Sequence, residues 1–281
     1  MPHEKKNLFA SSNTFAHTVR RTEKTVRVLS VLACALTIAL SMVWMAVRGE
    51  PYVIRCVIGL LLTPLLLVTE WLLRFRFRLP VFVLMQFFYL FAVIGKCFHL
   101  FDISVWWDVA MHGMGGFCLT VAGLVLFDLF AGRSLGRLPA QSEKRALAVR
   151  VASALFAVCF AVTAGVLWEL YECAVDRLFG LDMQMDTVIS QIDSSLLGDG
   201  VGSIGRIGDI SETVVNGAAL PIEGYLDIGL YDTMEDLALL TAGSIIAGVL
   251  RLLFRQESLF FRLDSGSSES AGAGSEKPVR K

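Results

Sequence analysis

Six long apolar runs constrain the fold of this chain more than any other feature of its sequence. Each is close to or above the roughly 20 residues that a helix needs to cross a bilayer. Because lipid offers the backbone no hydrogen-bond partners, such runs form helices. The sequence therefore predicts an all-α, polytopic membrane protein built as a bundle of six transmembrane helices. The runs cover about 27–47, 52–73, 79–101, 107–130, 149–173 and 232–254.

The composition agrees with this class. Hydrophobic residues make up 55% of the chain and charged residues 18%, and the mean hydropathy is +0.62. Such values are typical of membrane proteins. The net charge of -1 gives no indication of nucleic acid as a partner. The apolar composition predicts the lipid bilayer as the partner instead. The 6 cysteines lie in or beside apolar runs without CxxC spacing. We interpret them as small buried apolar residues, neither a disulfide framework nor a zinc site.

Three parts of the chain differ in composition. Residues 1–26 are polar and basic, 27–255 contain all six runs, and 256–281 are rich in serine, glycine and alanine. The first run is too long for a signal-peptide core and lacks a cleavage site, so it is predicted to be a retained span. The three parts are interpreted as a cytoplasmic N-terminus, a membrane domain and a disordered cytoplasmic tail.

Lysine and arginine predict the orientation of the spans. Basic residues are concentrated in the N-terminus, in Arg74–Arg78, in the loop of 133–150 and after Arg251. These are alternate connections, so all of them can be cytoplasmic at once. Both termini are then inside, and the acidic segment of about 174–231 is outside.

Three of the spans carry ionisable residues in pairs at the ends that this orientation places outside. The members of each pair are three or four residues apart, so they share one face of a helix. Small residues such as Gly165 and Gly243 lie on the same faces, which indicates packing against other helices. The pairs are Asp108 with His112, Glu169 with Glu172, and Asp232 with Asp236.

Five converging carboxylates with few cations nearby would repel one another unless a cation or protons balanced them. Oxygen ligands with one histidine suit a divalent metal such as Mn, Fe, Zn, Mg or Ca. All six paired residues are therefore predicted metal ligands, and His112 and Glu172 are predicted to transfer protons. The alternatives are a proton or cation path without a fixed metal, and acids that are simply solvated at helix ends.

Two further features allow a structural interpretation. Glu70 is four residues before Arg74, which predicts an ion pair at the inner face. The segment of about 174–231 is too long for a simple connection and has a glycine-rich centre. It is predicted to form a lid over the outer mouth, with Val188 to Leu197 as a short interfacial helix. The alternative is a poorly ordered loop.

The order and spacing of the three pairs, with the tryptophans Trp107 and Trp168 and the glycines of 115–116, resemble the YjdF-like family of bacterial inner-membrane proteins. A more distant similarity is to VanZ-like proteins. The resemblance covers about 50–255 and departs in the longer glycine-rich segment. It implies a multi-pass protein of the bacterial cytoplasmic membrane, without implying an activity.

Three functions fit these residues. The first is a metal-dependent hydrolase or transferase acting on a lipid or lipid-linked envelope substrate. The second is a proton- or cation-coupled transporter, against which we note the absence of an inverted repeat and the few helix breakers. The third is a non-catalytic membrane scaffold whose polar stripes lock helices together.

Overall fold

The six predicted apolar runs are helical in the structure, a computed structural model that describes residues 2–132, 143–254 and 259–263. Six helical segments within these ranges are long and apolar enough to cross a membrane. The predicted all-α fold with six spans is thus confirmed. The helices are α1 (Pro2–Arg48), α2 (Val53–Leu62), α3 (Leu65–Leu73), α4 (Leu79–Cys97), α5 (Leu100–Ile103), α6 (Val105–Phe127), α7 (Glu143–Phe179) and α8 (Leu230–Leu253).

The chain divides into two compact units. The first consists of Met1–Trp107 and Leu253–Lys281, and it contains α1 to α5. The second is Asp108–Leu252, which includes nearly all of α6 to α8. The predicted membrane domain of 27–255 therefore contributes to both units, and all six predicted site residues belong to the second.

Helix α1 is longer than the predicted first run. It begins at Pro2 and includes the polar stretch that precedes the apolar residues. Proline is favoured in the first turn of a helix, because its missing N–H would have no partner there. No glycine or further proline occurs before Gly49, which has a φ of 72° and follows the end of the helix. The membrane span within α1 is Thr18–Arg48.

The second span is not one continuous helix, because Pro64 separates α2 from α3. Proline has no N–H and its ring clashes with the preceding turn. Side chains of α4 bind carbonyl groups beside the break: the Tyr89 hydroxyl donates to Gly59 at 2.5 Å, and Gln86 Nε2 donates to Thr63 at 3.3 Å. A broken helix in an apolar environment depends on such donors. The sequence analysis did not predict this break.

A buried ion pair connects α1 to the end of α3. Arg27 Nη1 lies 2.6 Å from Glu70 Oε1, and Arg27 Nη2 donates to the carbonyl of Phe77. The Phe77 N–H donates to the same Glu70 oxygen at 2.8 Å. The predicted partner, Arg74, is the left-handed residue (φ 55°) at which α3 ends, so it leaves the helical face. The predicted Glu70–Arg74 pair was therefore wrong.

A short antiparallel ribbon joins the turn after α3 to the C-terminal part of the chain. Strand β1 (Phe75–Phe77) pairs with β8 (Phe261–Leu263), and Arg262 contacts Glu23 of α1 at 2.8 Å. The tail of 256–281, predicted as disordered, thus contains an ordered strand. Its residues 256–258 and 264–281 lie outside the described part of the chain.

The segment between α7 and α8 is built from short strands. Residues 188–197, predicted as an interfacial helix, form two strands and a 3-10 turn, so that prediction was wrong. Val188, Ile189 and Ile192 are β-branched and favour extended backbone where a partner strand is near. The pairs are β2 (Val188–Ile189) with β7 (Tyr225–Leu226), β3 (Ile192–Ser194) with β4 (Gly205–Ile207), and β5 (Val214–Val215) with β6 (Ala218–Ala219).

The buried ion pair generates a first prediction. Arg27→Met should lower the free energy of unfolding by about 3–5 kcal/mol, since it leaves Glu70 buried without its cation. Arg262→Met removes the partly exposed pair with Glu23 and should change the free energy of unfolding by less than about 1 kcal/mol. Denaturant titration of the detergent-solubilised protein, followed by circular dichroism, measures both. Equal effects of the two substitutions would contradict the assignment.

Candidate metal centre

Helices α6 and α8 bring the predicted histidine and two aspartates together. One ligand atom each from Asp108, His112 and Asp236 lies within 4.8 Å of the other two. His112 Nε2 is 3.4 Å from Asp108 Oδ1 and 3.2 Å from Asp236 Oδ2. The spacing of four residues places Asp108 and His112 on one face of α6, as predicted. We call these three residues the histidine triad.

Helix α7 contributes a second group, which we call the acidic triad: Glu169, Glu172 and Asp236. Ligand atoms of these three residues also lie within 4.8 Å of one another. Their exposed fractions are only 6%, 3% and 2%. Asp236 belongs to both triads, so five of the six predicted ligands form one continuous cluster.

Two oxygens of this cluster are buried without a donor. Glu169 Oε2 and Asp236 Oδ1 have no hydrogen-bond partner among the described residues. Burying a carboxylate without compensation is strongly unfavourable, so a proton or a cation must balance it. Arg251, also buried in α8, is about four turns from Asp236, so it is too far away to balance the charge of that carboxylate. Within this cluster the basic side chain is His112, and its Nε2 already faces two carboxylates.

Asp232 lies one turn before Asp236 but belongs to neither triad. Its Oδ2 accepts a hydrogen bond from the Met185 N–H at 3.0 Å. The next residue, Thr233, accepts one from Gln184 Nε2 at 2.5 Å. Helix α8 therefore holds the backbone that follows α7, and the predicted role of Asp232 as a ligand stays a prediction.

A second acid that fixes this segment, Asp227, was missed by the sequence analysis. Its carboxylate accepts N–H groups of Thr187 (2.7 Å), Tyr231 (2.7 Å) and Gly229 (3.2 Å). Burial opposes ionisation, yet these donors lower the pKa of Asp227 below its usual value. At Asp186, burial and the neighbouring carboxylates raise the pKa instead. An aspartate just before a helix is a recognisable start signal and could have identified Asp227.

The cluster depends on a close contact between the backbones of α6 and α8. A Cβ on Gly243 would collide with the carbonyl oxygen of Gly113, and one on Gly116 would collide with that of Leu240. The Ser244 hydroxyl donates to the Gly116 carbonyl at 3.2 Å across the same contact. Gly243, two turns after Asp236 on α8, packs against the backbone of α6, which confirms the prediction that this polar face of α8 meets a neighbouring helix.

Comparison with known protein families adds one finding to this geometry. Residues 29–257 match the model of a family described as predicted membrane protein, DUF2238. The chain belongs to this family. The match covers all six spans except the start of α1, and it supports the membrane-protein family that the sequence pattern indicated. Searches of curated proteins and of solved structures gave no match.

The glycine contact gives a second prediction. Gly243→Ala should destabilise the protein by about 1–3 kcal/mol, because the added methyl group overpacks a contact between two backbones. Gly113→Ala is the matched control: the nearest atom to its new Cβ is 4.0 Å away, so stability should be unchanged or slightly higher. Thermal unfolding of the two variants in detergent tests this, and a tolerant Gly243 would contradict the close approach of α6 and α8.

Proposed function

We propose that this DUF2238 member binds a divalent metal in the cluster of α6, α7 and α8 and uses it for hydrolysis or group transfer on a lipid or lipid-linked substrate. The observation that carries the proposal is the pair of buried carboxylate oxygens without donors, Glu169 Oε2 and Asp236 Oδ1, inside two triads of potential ligands. A bound cation would provide the missing compensation. The donors are hard oxygens with one imidazole nitrogen, which suits Mn, Fe, Zn or Mg.

The shared residue, Asp236, favours a pair of metal ions over a single one. Each triad offers three ligand atoms within 4.8 Å of one another, and Asp236 is common to both. Carboxylates that project inward from facing helices, with a histidine, hold metal pairs in soluble helical bundles. In this arrangement Asp236 would be available to both ions, Asp108 and His112 of α6 would hold one, and Glu169 and Glu172 of α7 would hold the other.

The surroundings of the cluster favour a substrate that lies in the membrane. Trp168 and Tyr171 each precede one of the two glutamates of α7, and their side chains are 48% and 52% exposed. Their ring centroids are 5.3 Å apart. Tyr231, next to Asp232 on α8, is also exposed. Exposed tryptophan and tyrosine mark the level of lipid headgroups. A centre at this level can reach a phosphoryl or acyl group at the boundary between headgroup and chain.

The chemistry would divide between the metal and the protein as follows. The metal, when bound, supplies a Lewis acid and lowers the pKa of water. His112 Nε2 lies 3.4 Å from Asp108 and 3.2 Å from Asp236, and these two contacts hold its ring in place. Glu172 is a buried member of the acidic triad. We propose that His112 and Glu172, where they are not coordinated to a metal, act as the proton donor and acceptor.

Metal analysis tests the proposal directly. The purified protein, reconstituted with Mn²⁺ or Zn²⁺, should retain metal after dialysis, and Asp236→Asn should lower the affinity by more than about 100-fold. Glu235→Gln is the matched control, since Glu235 is the exposed neighbour of Asp236 on the same helix. Elemental analysis gives the stoichiometry, and two metal ions for each chain would support a pair of ions that share Asp236.

The stability of the metal-free protein should not fall when Asp236 is replaced, although the metal affinity does. Removing one of several repelling carboxylates relieves electrostatic strain, so Asp236→Asn without metal should unfold no more easily than the parent. In a structural salt-bridge cluster the same change would destabilise the protein. Absence of stoichiometric metal in the parent, together with ion-dependent flux into vesicles, would favour the transport alternative. Absence of both metal and flux would favour a scaffold.

The proposed orientation places the cluster on the outer side of the bacterial cytoplasmic membrane, with both termini inside, because the basic connections resist translocation. Ser203→Cys, in the segment between α7 and α8, should react with a membrane-impermeant maleimide on intact cells. Ser142→Cys should react only after the membrane is permeabilised. Labelling of Ser142→Cys on intact cells would reverse the topology.

A further inference from the structure

Two buried cysteines of the first unit are in contact, although they are 41 residues apart in the chain. The sulfur atoms of Cys56 and Cys97 are separated by 3.4 Å. Their exposed fractions are 0% and 1%, and both belong to the core that α1, α2 and α4 share. The sequence indicated isolated apolar cysteines because no short spacing joins these two. Their proximity arises only from the packing of α2 against α4.

The contact lies at the ends of two spans. Cys56 is in the first turn of α2, and Cys97 is the last residue of α4. Their chain neighbours are exposed or hydrogen-bonded at the surface: Arg55 donates to the carbonyl of Lys96 at 3.3 Å. Each cysteine is thus next in the chain to a residue of this polar contact, unlike a thiol in the middle of a span. Exchange with an external reagent therefore requires only local opening of the helix ends.

We propose that Cys56 and Cys97 are a dithiol site that closes into a disulfide linking α2 to α4. One thiolate attacks a disulfide-bearing oxidant and forms a mixed disulfide, and the other thiolate then displaces the oxidant. Two S–H bonds break and one S–S bond forms, while the oxidant's disulfide is reduced to two thiols that take up the two protons. Closing the bond shortens the distance between the sulfur atoms from 3.4 Å to about 2.05 Å.

The site differs from the other cysteines of the chain. Cys34 is equally buried, but its thiol contacts the carbonyl of Gln86 at 3.7 Å. Cys118 is buried in α6, in the second unit. Among the described residues, neither Cys34 nor Cys118 has a second cysteine sulfur within hydrogen-bonding distance. In the orientation proposed above, the Cys56–Cys97 end of the first unit faces the outer, oxidising side of the membrane.

Thiol trapping of the full-length protein tests this site independently of any metal. The protein is purified without reductant, incubated with oxidised glutathione, unfolded in acid and alkylated with N-ethylmaleimide. Peptide mass spectrometry should then show label on the other cysteines and a cross-linked peptide that joins residues 56 and 97. Dithiothreitol before alkylation should remove the cross-link and add label at both positions.

Variants separate this site from general oxidation. Cys56→Ala should expose Cys97 to label, whereas Cys34→Ala should leave the cross-link unchanged. The wild-type peptide map remains decisive even if Cys56→Ala folds poorly. Oxidation should also raise the melting temperature of the parent but not of Cys97→Ala. Full labelling of both residues after oxidation, or cross-links that join other cysteines instead, would overturn the proposal.

Discussion

Buried charge in an apolar helical protein must be balanced, and the two units of this chain meet that requirement differently. In the first unit, Arg27 and Glu70 balance each other, and the backbone of Phe77 supplies the remaining donor and acceptor. In the second, four carboxyl groups and one imidazole converge, so acidic groups are in excess. A protein that only needed to hold its helices together would gain nothing from that excess, because apolar packing stabilises without the desolvation cost.

The features that were predictable from the sequence are those that depend on short-range spacing. Apolar runs identified the six spans, and pairs such as Asp108 with His112 identified the shared faces. The distribution of lysine and arginine between loops, also a local property, predicts the side of the membrane on which the pairs lie, and that orientation stays a prediction. The glycine at 243 was recognisable as a contact residue because it continues the polar stripe of α8.

What the sequence could not predict depends on pairing between distant elements. Glu70 has a candidate partner four residues away, yet the left-handed geometry at Arg74 leaves Arg27 of another helix as the actual partner. The strands between α7 and α8 are two or three residues long, too short to show the alternation of apolar and polar residues that identifies a strand. Cys56 and Cys97 likewise meet only through packing. In each case an available local interpretation competed with a long-range contact.

The choice between aspartate and glutamate in the cluster follows from how closely the helices pack. Helices α6 and α8 touch backbone to backbone at Gly113 and Gly243, and their acidic residues in the triads are aspartates, the shorter side chain. Helix α7 meets α8 through the Leu240 side chain against Gly165, a wider separation, and its two acids are glutamates. The extra methylene group lets α7 reach Asp236 from further away. An exchange of Asp236 for glutamate would therefore not be conservative, because the longer side chain would push its oxygens beyond the point that both triads share.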